Sequence, residues 1–167
     1  MKPSAALSIV RKMKDTLQGR KVGILFDEGS DKAEVERLAA AVQKAGGVAL
    51  LIAPKVGGLE LNGGILKADG QLAGTPSVVL DAIALVLNEA SARKLAGEGA
   101  AVQFVMDAFG HLKAIGFNNA AQAMFGKAGL DADASGIVSV GKGADDFIAA
   151  AKKHRIWDRD PLVNPPR

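Results

Sequence analysis

"KVGILFDEGSDKAEVERLAAAVQKAGGVALLIA" (residues 21–53) decides the fold. Its opening, "KVGILF" (21–26), is a short apolar run of the buried-strand kind. Asp31 stands where a helix needs an N-cap, and Glu34, three residues on, completes a capping box. Val35, Leu38, Ala39 and Val42 then recur at helical spacing and form an inward stripe. Gly46-Gly47 ends that helix, and "VALLIA" (48–53) is a second buried strand. Strand, helix and strand of these lengths make a βαβ unit, which implies a parallel sheet with a right-handed crossover.

Downstream the pattern continues after one interruption. "VGGLELNGGILKADGQLAG" (56–74) has short alternating segments broken by Gly58, Asn62-Gly63-Gly64 and Asp69-Gly70, the signature of a hairpin beside the main sheet. "DAIALVL" (81–87), "KAIGF" (113–117) and "GIVSV" (136–140) read as strands. "EASARKLA" (89–96), "AAVQFVMDAFGHL" (100–112), "AAQAMF" (120–125) and "ADDFIAAAKKHRIW" (144–157) read as helices. The last has acids in its first turn and cations in its last, which suits the helix dipole. The expected fold is α/β, a doubly wound, mostly parallel flavodoxin-like sheet with a β-hairpin insertion. The domain occupies 21–158 and is followed by a tail over 159–167.

Residues 1–20 form a leading arm. Ala6, Ile9, Val10, Met13 and Leu17 fall at three- and four-residue spacing, which predicts an amphipathic helix. Residues 1–21 hold six cations against one anion, so the remaining 146 residues carry a net charge of −2 although the whole chain is +3. The basicity belongs to the arm, and no aromatic-interleaved RNA-recognition pattern is present, so neither composition nor motif points to nucleic acid. No apolar stretch is long enough to span a membrane, and the six-residue run "AALSIV" is followed by "RKMK" with no cleavage signal. A cytoplasmic protein is expected. There are no cysteines and no tyrosines, which removes disulfides, thiolate metal sites and thiol nucleophiles.

In a doubly wound sheet, ligands bind at the C-terminal ends of the strands. Three loops lie there. Asp27, Glu28 and Asp31 crowd carboxylates after the first strand, with Glu28 and Asp31 as candidate acid–base residues and helix capping as the alternative. Asn88 and Glu89 begin a helix after the third main strand and are explained by capping. Phe117, Asn118 and Asn119 form a sharp strand-to-helix bend, the place where an α/β enzyme presents a nucleophile. A carboxamide is neither nucleophile nor base. The expectation is a structural turn in which the two asparagines satisfy backbone donors, with Asn119 as the helix cap and a left-handed backbone, which Asn tolerates, at the bend.

No other constellation carries chemistry. His111 and His154 have no partner at metal-ligand spacing, and a structural role is expected for both. Ser30, Ser77, Ser91, Ser135 and Ser139 lie outside any G-x-S-x-G setting. Lys142, between two glycines before a helix, lacks the Walker spacing, and Asp145 and Asp146 stand where a phosphate would sit. No catalytic, cofactor-binding or metal-binding residue is therefore expected in this chain.

Three segments carry a resemblance. "SAALSIVRKMKDTLQGRKVGIL" (4–25), "DAFGHLKAIGF" (107–117) and "GADDFIAAAKKHRIWDRD" (143–160) resemble, in that order, the C-terminal domain of large-subunit haem catalases and its linker. By fold that domain belongs to the class I glutamine-amidotransferase-like superfamily, whose active members carry a Cys at the elbow. Aligned through "KAIGFNNAAQ", that position falls on Asn118 or one residue either side. The resemblance implies a non-catalytic accessory domain in an enzyme that dismutes hydrogen peroxide, contributing stability, subunit contacts or chaperone-like behaviour. Haem would belong to the parent's catalytic domain, since its axial ligand is a Tyr. The implied partners are the catalase core, neighbouring subunits and unfolded clients. A stand-alone holdase-like module and a carboxylate-dependent hydrolase are the alternatives.

Overall fold

The computed structural model describes residues 4–8 and 12–165. Strand β1 (Lys21–Leu25), helix α1 (Lys32–Lys44) and strand β2 (Val48–Ala53) form the βαβ unit. The two strands run parallel, with Lys21 opposite Val48 and Leu25 opposite Ile52. The hairpin follows as β3 (Gly57–Leu61) and β4 (Gly64–Ala68), an antiparallel pair forming its own small sheet. Then come β5 (Gly70–Gln71), β6 (Ala82–Leu85), α2 (Glu89–Leu95), α3 (Gly99–Gly110) and β7 (Ile115–Phe117). Helix α4 (Ala123–Ala128), β8 (Ile137–Ser139), α5 (Asp145–Lys152) and the short α6 (Asp160–Val163) complete the chain.

The main sheet has the order β5-β2-β1-β6-β7-β8, and every pairing is parallel. Without the two-residue β5, this is the 2-1-3-4-5 order of flavodoxin-like sheets, with its switch point between β1 and β6. Both faces are covered, which explains why the strands read as continuous apolar runs. Val22, Ile24 and Phe26 pack with Val35 and Leu38 of α1 and Phe147 of α5 on one face. Leu25, Ile83 and Leu85 pack with Leu95, Phe104 and Phe125 on the other. Gly116 in β7 permits a close approach: a Cβ there would stand 2.9 Å from the Phe147 ring.

The hairpin is strapped to the loop after β1. Gly29 N–H donates to Glu60 O at 2.9 Å, Asn62 N–H to Ser30 O at 2.8 Å, and Lys32 N–H to Asn62 O at 2.9 Å. Asp69-Gly70 does not make the expected tight turn. Asp69 instead accepts from Leu51 N–H at 2.8 Å, and Gly70–Gln71 pairs with β2 as the sheet's edge.

Two terminal readings need correction. The arm helix was expected through Leu17, but residues 13–17 are non-helical. Thr16 Oγ1 accepts from Gln18 N–H at 3.1 Å, a local bond that competes with helix, and Leu17 is fully buried in the core. Ala5–Leu7 form a 3₁₀ turn, and Ile9 and Val10 lie outside the described residues. The closing helix ends at Lys152, because His154 is left-handed at φ 68°. Beyond it Arg159, at the start of the expected tail, is fully buried. Its guanidinium donates to Lys113 O at 2.6 Å and Ser135 O at 3.1 Å and lies 4.4 Å from the Phe109 ring centroid. Burial lowers its pKa to about 10.

Candidate functional site

The loops after β1, β6 and β7 meet at the C-terminal end of the sheet, but the three carboxylates of the first loop are not assembled there. Asp27 is 3 % exposed, and its Oδ2 accepts from Lys94 Nζ at 2.8 Å. This bond raises the Lys94 pKa against the opposing effect of burial. Glu28 is exposed, and its backbone carbonyl accepts from Asn88 Nδ2 at 3.1 Å and Ser91 Oγ at 2.8 Å. Asp31 is also exposed and caps α1, accepting from Glu34 N–H at 3.1 Å. Gly29, at φ 75°, has no Cβ and so leaves room for Asn88, whose Nδ2 would stand 2.4 Å from a Cβ at that position. Asn88 Oδ1 in turn caps α2 by accepting from Ser91 N–H at 2.7 Å, while Glu89 is exposed and pairs with Arg93.

The bend at Asn118 is locked rather than poised. Asn118 Oδ1 accepts from Leu87 N–H and Ala121 N–H, each at 3.2 Å. Its Nδ2 donates to Leu87 O at 2.8 Å and to Glu34 Oε2 at 3.2 Å. A carboxamide has two donors and an acceptor oxygen with two lone pairs, so its capacity is used up. The backbone is extended at φ −90° and ψ 163°, not left-handed, and Asn118 rather than Asn119 is the cap. No strain projects a side chain toward a substrate, because the residue continues the β7 direction and hydrogen-bonds across to Leu87. Phe117 is anchored edge-on to Phe125 of α4, at 5.0 Å between ring centroids.

Glu34 is the residue that the sequence reading misplaced. A capping box would have returned its carboxylate to Asp31 N–H, whereas it reaches Asn118 and stands 3.8 Å from Arg37. Glu34, Arg37, Asn118, Asn119, Ala120 and Gly141 line an open depression of about 370 Å³. A larger hollow, about 490 Å³, lies away from the strand ends between residues 13–15, β8 and α5, with half-exposed Trp157 at its rim. Lys142 is exposed on the turn before α5.

A family model described as the C-terminal domain found in long catalases matches residues 18–161. The chain belongs to this family. Similar proteins include Catalase C of Rhizobium meliloti (strain 1021), 38% identical over 166 residues, which cover 96% of this chain and 23% of the relative. Catalase HPII of Pseudomonas aeruginosa is 33% identical over 163 residues, covering 95% of this chain and 23% of its own length. Catalase-B of Dictyostelium discoideum is 27% identical over 170 residues, 98% of this chain and 24% of the relative. The chain thus spans about a quarter of each of these catalases.

This catalase C-terminal domain has no tyrosine. His111 is exposed at the end of α3, and His154 sits among cations, where burial, Arg20 and Arg155 lower its pKa. Among the described residues no three His, Cys, Asp or Glu side chains gather as a metal site, and no helix is long and apolar enough to cross a membrane.

Proposed function

We propose that this chain is a non-catalytic accessory domain of a large catalase. It supports the stability and subunit contacts of an enzyme whose other domains dismute hydrogen peroxide to water and oxygen in the cytoplasm. The observation that carries this reading is Asn118: at the strand-to-helix bend where the superfamily presents its nucleophile, the side chain is fully engaged in holding β6, β7 and α1 together. The nearby carboxylates support it too, since Asp27 is paired with Lys94 and Asp31 is a helix cap. The bend is retained as architecture, and its side chain is spent on cohesion. Its partners are the catalase core and neighbouring subunits.

The test is an absorbance scan of the purified chain from the ultraviolet to the red, together with an oxygen electrode. The expected result is a folded, colourless protein that releases no oxygen from hydrogen peroxide. A haem band that stays with the protein, or peroxide loss that tracks it through a sizing column, would overturn the reading.

A further inference from the structure

The opposite end of the sheet, where the strands begin, holds charge of another kind. Arg20 precedes β1, Lys113 precedes β7, and His154 and Arg155 follow α5, so the topology delivers four basic side chains to one place. The cations among them are held by neutral carbonyl oxygens. Arg20 Nη1 donates to Lys152 O at 3.4 Å, and Arg155 Nη1 to His154 O at 3.1 Å. Lys113 Nζ, in a residue 1 % exposed, donates to Ser77 O at 2.6 Å and Val78 O at 3.0 Å.

Asp81, just before β6, is the carboxylate nearest His154, while Asp107 also acts on Lys113 and Asp15, Asp146 and Asp158 line the hollow that Arg155 borders. Asp81 Oδ2 accepts from Lys21 N–H at 2.8 Å, and its Oδ1 lies 3.6 Å from His154 Nδ1. Arg20, Arg155 and Lys113 all add to burial in lowering the His154 pKa, and Asp81 alone opposes them. Lys113 is lowered to about 8, by burial first and then by Arg155, against Asp81 and Asp107. Like charges brought together cost the domain stability, and further carboxylates arriving from outside relieve that cost.

We propose that this end of the domain is a docking surface for an acidic patch on a protein partner, with partly exposed Arg20 and Arg155 meeting its carboxylates. The proposal rests on the accessory-domain reading and names the chemistry of the partner. Both arginines have guanidinium forks suited to carboxylates. A nucleic acid fits less well. The whole chain carries a net charge of only +3, too little to hold a long polyanion, whereas an acidic patch needs only local contact.

The test titrates the full ¹⁵N-labelled chain with a hexaglutamate peptide at low ionic strength. The expected amide shifts centre on Arg20, Asp81, His154 and Arg155 and fade as salt is added. The double variant Arg20→Gln/Arg155→Gln is expected to weaken binding about tenfold. If that variant does not fold, Lys21→Gln, at an exposed neighbour, is expected to weaken it about threefold. Shifts centred elsewhere, or unchanged affinity in the folded variant, overturn the proposal. A single-stranded oligonucleotide that binds the same amides more tightly than the peptide also overturns it, in favour of nucleic acid. These outcomes are independent of the oxygen-electrode result, which alone tests the accessory-domain reading.

Discussion

Glu34 Oε2 accepts a hydrogen bond from Asn118 Nδ2 at 3.2 Å, joining positions 84 residues apart. The first turn of α1 is thereby tied to the bend after β7, across the C-terminal end of the sheet. In a catalytic α/β domain a helix terminus beside the elbow is free to serve a substrate. Here both partners are committed to each other.

Asn118→Ala removes four hydrogen bonds and leaves the Leu87 amide and carbonyl without these side-chain partners. It is expected to lower unfolding free energy by about 2–4 kcal/mol. Glu34→Gln keeps an acceptor for Asn118 and is expected to cost under about 1 kcal/mol. A double-mutant cycle between Glu34→Ala and Asn118→Ala, read by urea denaturation, is expected to show coupling of about 0.5–2 kcal/mol. Strict additivity would mean that the pair does not hold the two elements together.

The Asp27–Lys94 pair predicts an asymmetric result. Lys94→Met strands a buried carboxylate and is expected to destabilise by about 1–3 kcal/mol, moderated because Lys94 is itself half exposed. Adding Asp27→Asn removes the stranded charge and is expected to recover much of the loss. Because the folded Lys94 pKa is raised, the pair's contribution is complete below the ordinary lysine value of 10.5 and disappears as pH rises through the folded value. Urea midpoints from pH 8 to 11 check this, and a variant whose profile parallels the wild type would refute it.

Much of the fold was legible in local pattern. The βαβ unit follows from apolar spacing and a cap, and the hairpin from Asn62-Gly63. The site was harder, because Glu34 satisfies a local rule so well that its distant partner leaves no trace in the spacing. His154 shows the same difficulty. A left-handed histidine has no sequence signal of the kind glycine provides, so the closing helix read too long. Arg159 misled for the opposite reason: composition places an arginine near Pro-rich sequence in solvent, whereas its stem and guanidinium fill the core beside Phe109.

His154 also sets an acid limit. Its folded pKa is depressed, so the unfolded chain binds the proton more readily. Stability is complete above the ordinary value of 6.5 and is lost as pH falls through the folded one. His154→Asn tolerates the positive φ and lacks the titration. Its stability is expected to fall less than that of the wild type between pH 7 and 5 in parallel urea series.

Lys113 acts at the other extreme. Lowered to about 8 by burial, it resists protonation in the fold more than in the unfolded chain. Its penalty is therefore lifted as pH rises from about 8 toward 10.5, and stability gains a contribution of about 1–3 kcal/mol there. Lys113→Met is expected to lack that gain. The difference between the two proteins across this range measures the cost of the buried charge.

The hairpin's attachment to the loop after β1 has a dynamic consequence. Its three main-chain bonds lie on both sides of Ser30, so the loop cannot peel away while β3 stays in place. Amide protons of Gly29, Lys32 and Asn62 should exchange with solvent in step, as one opening unit. An insertion that looks peripheral in the chain thus governs how often the end of the sheet breathes.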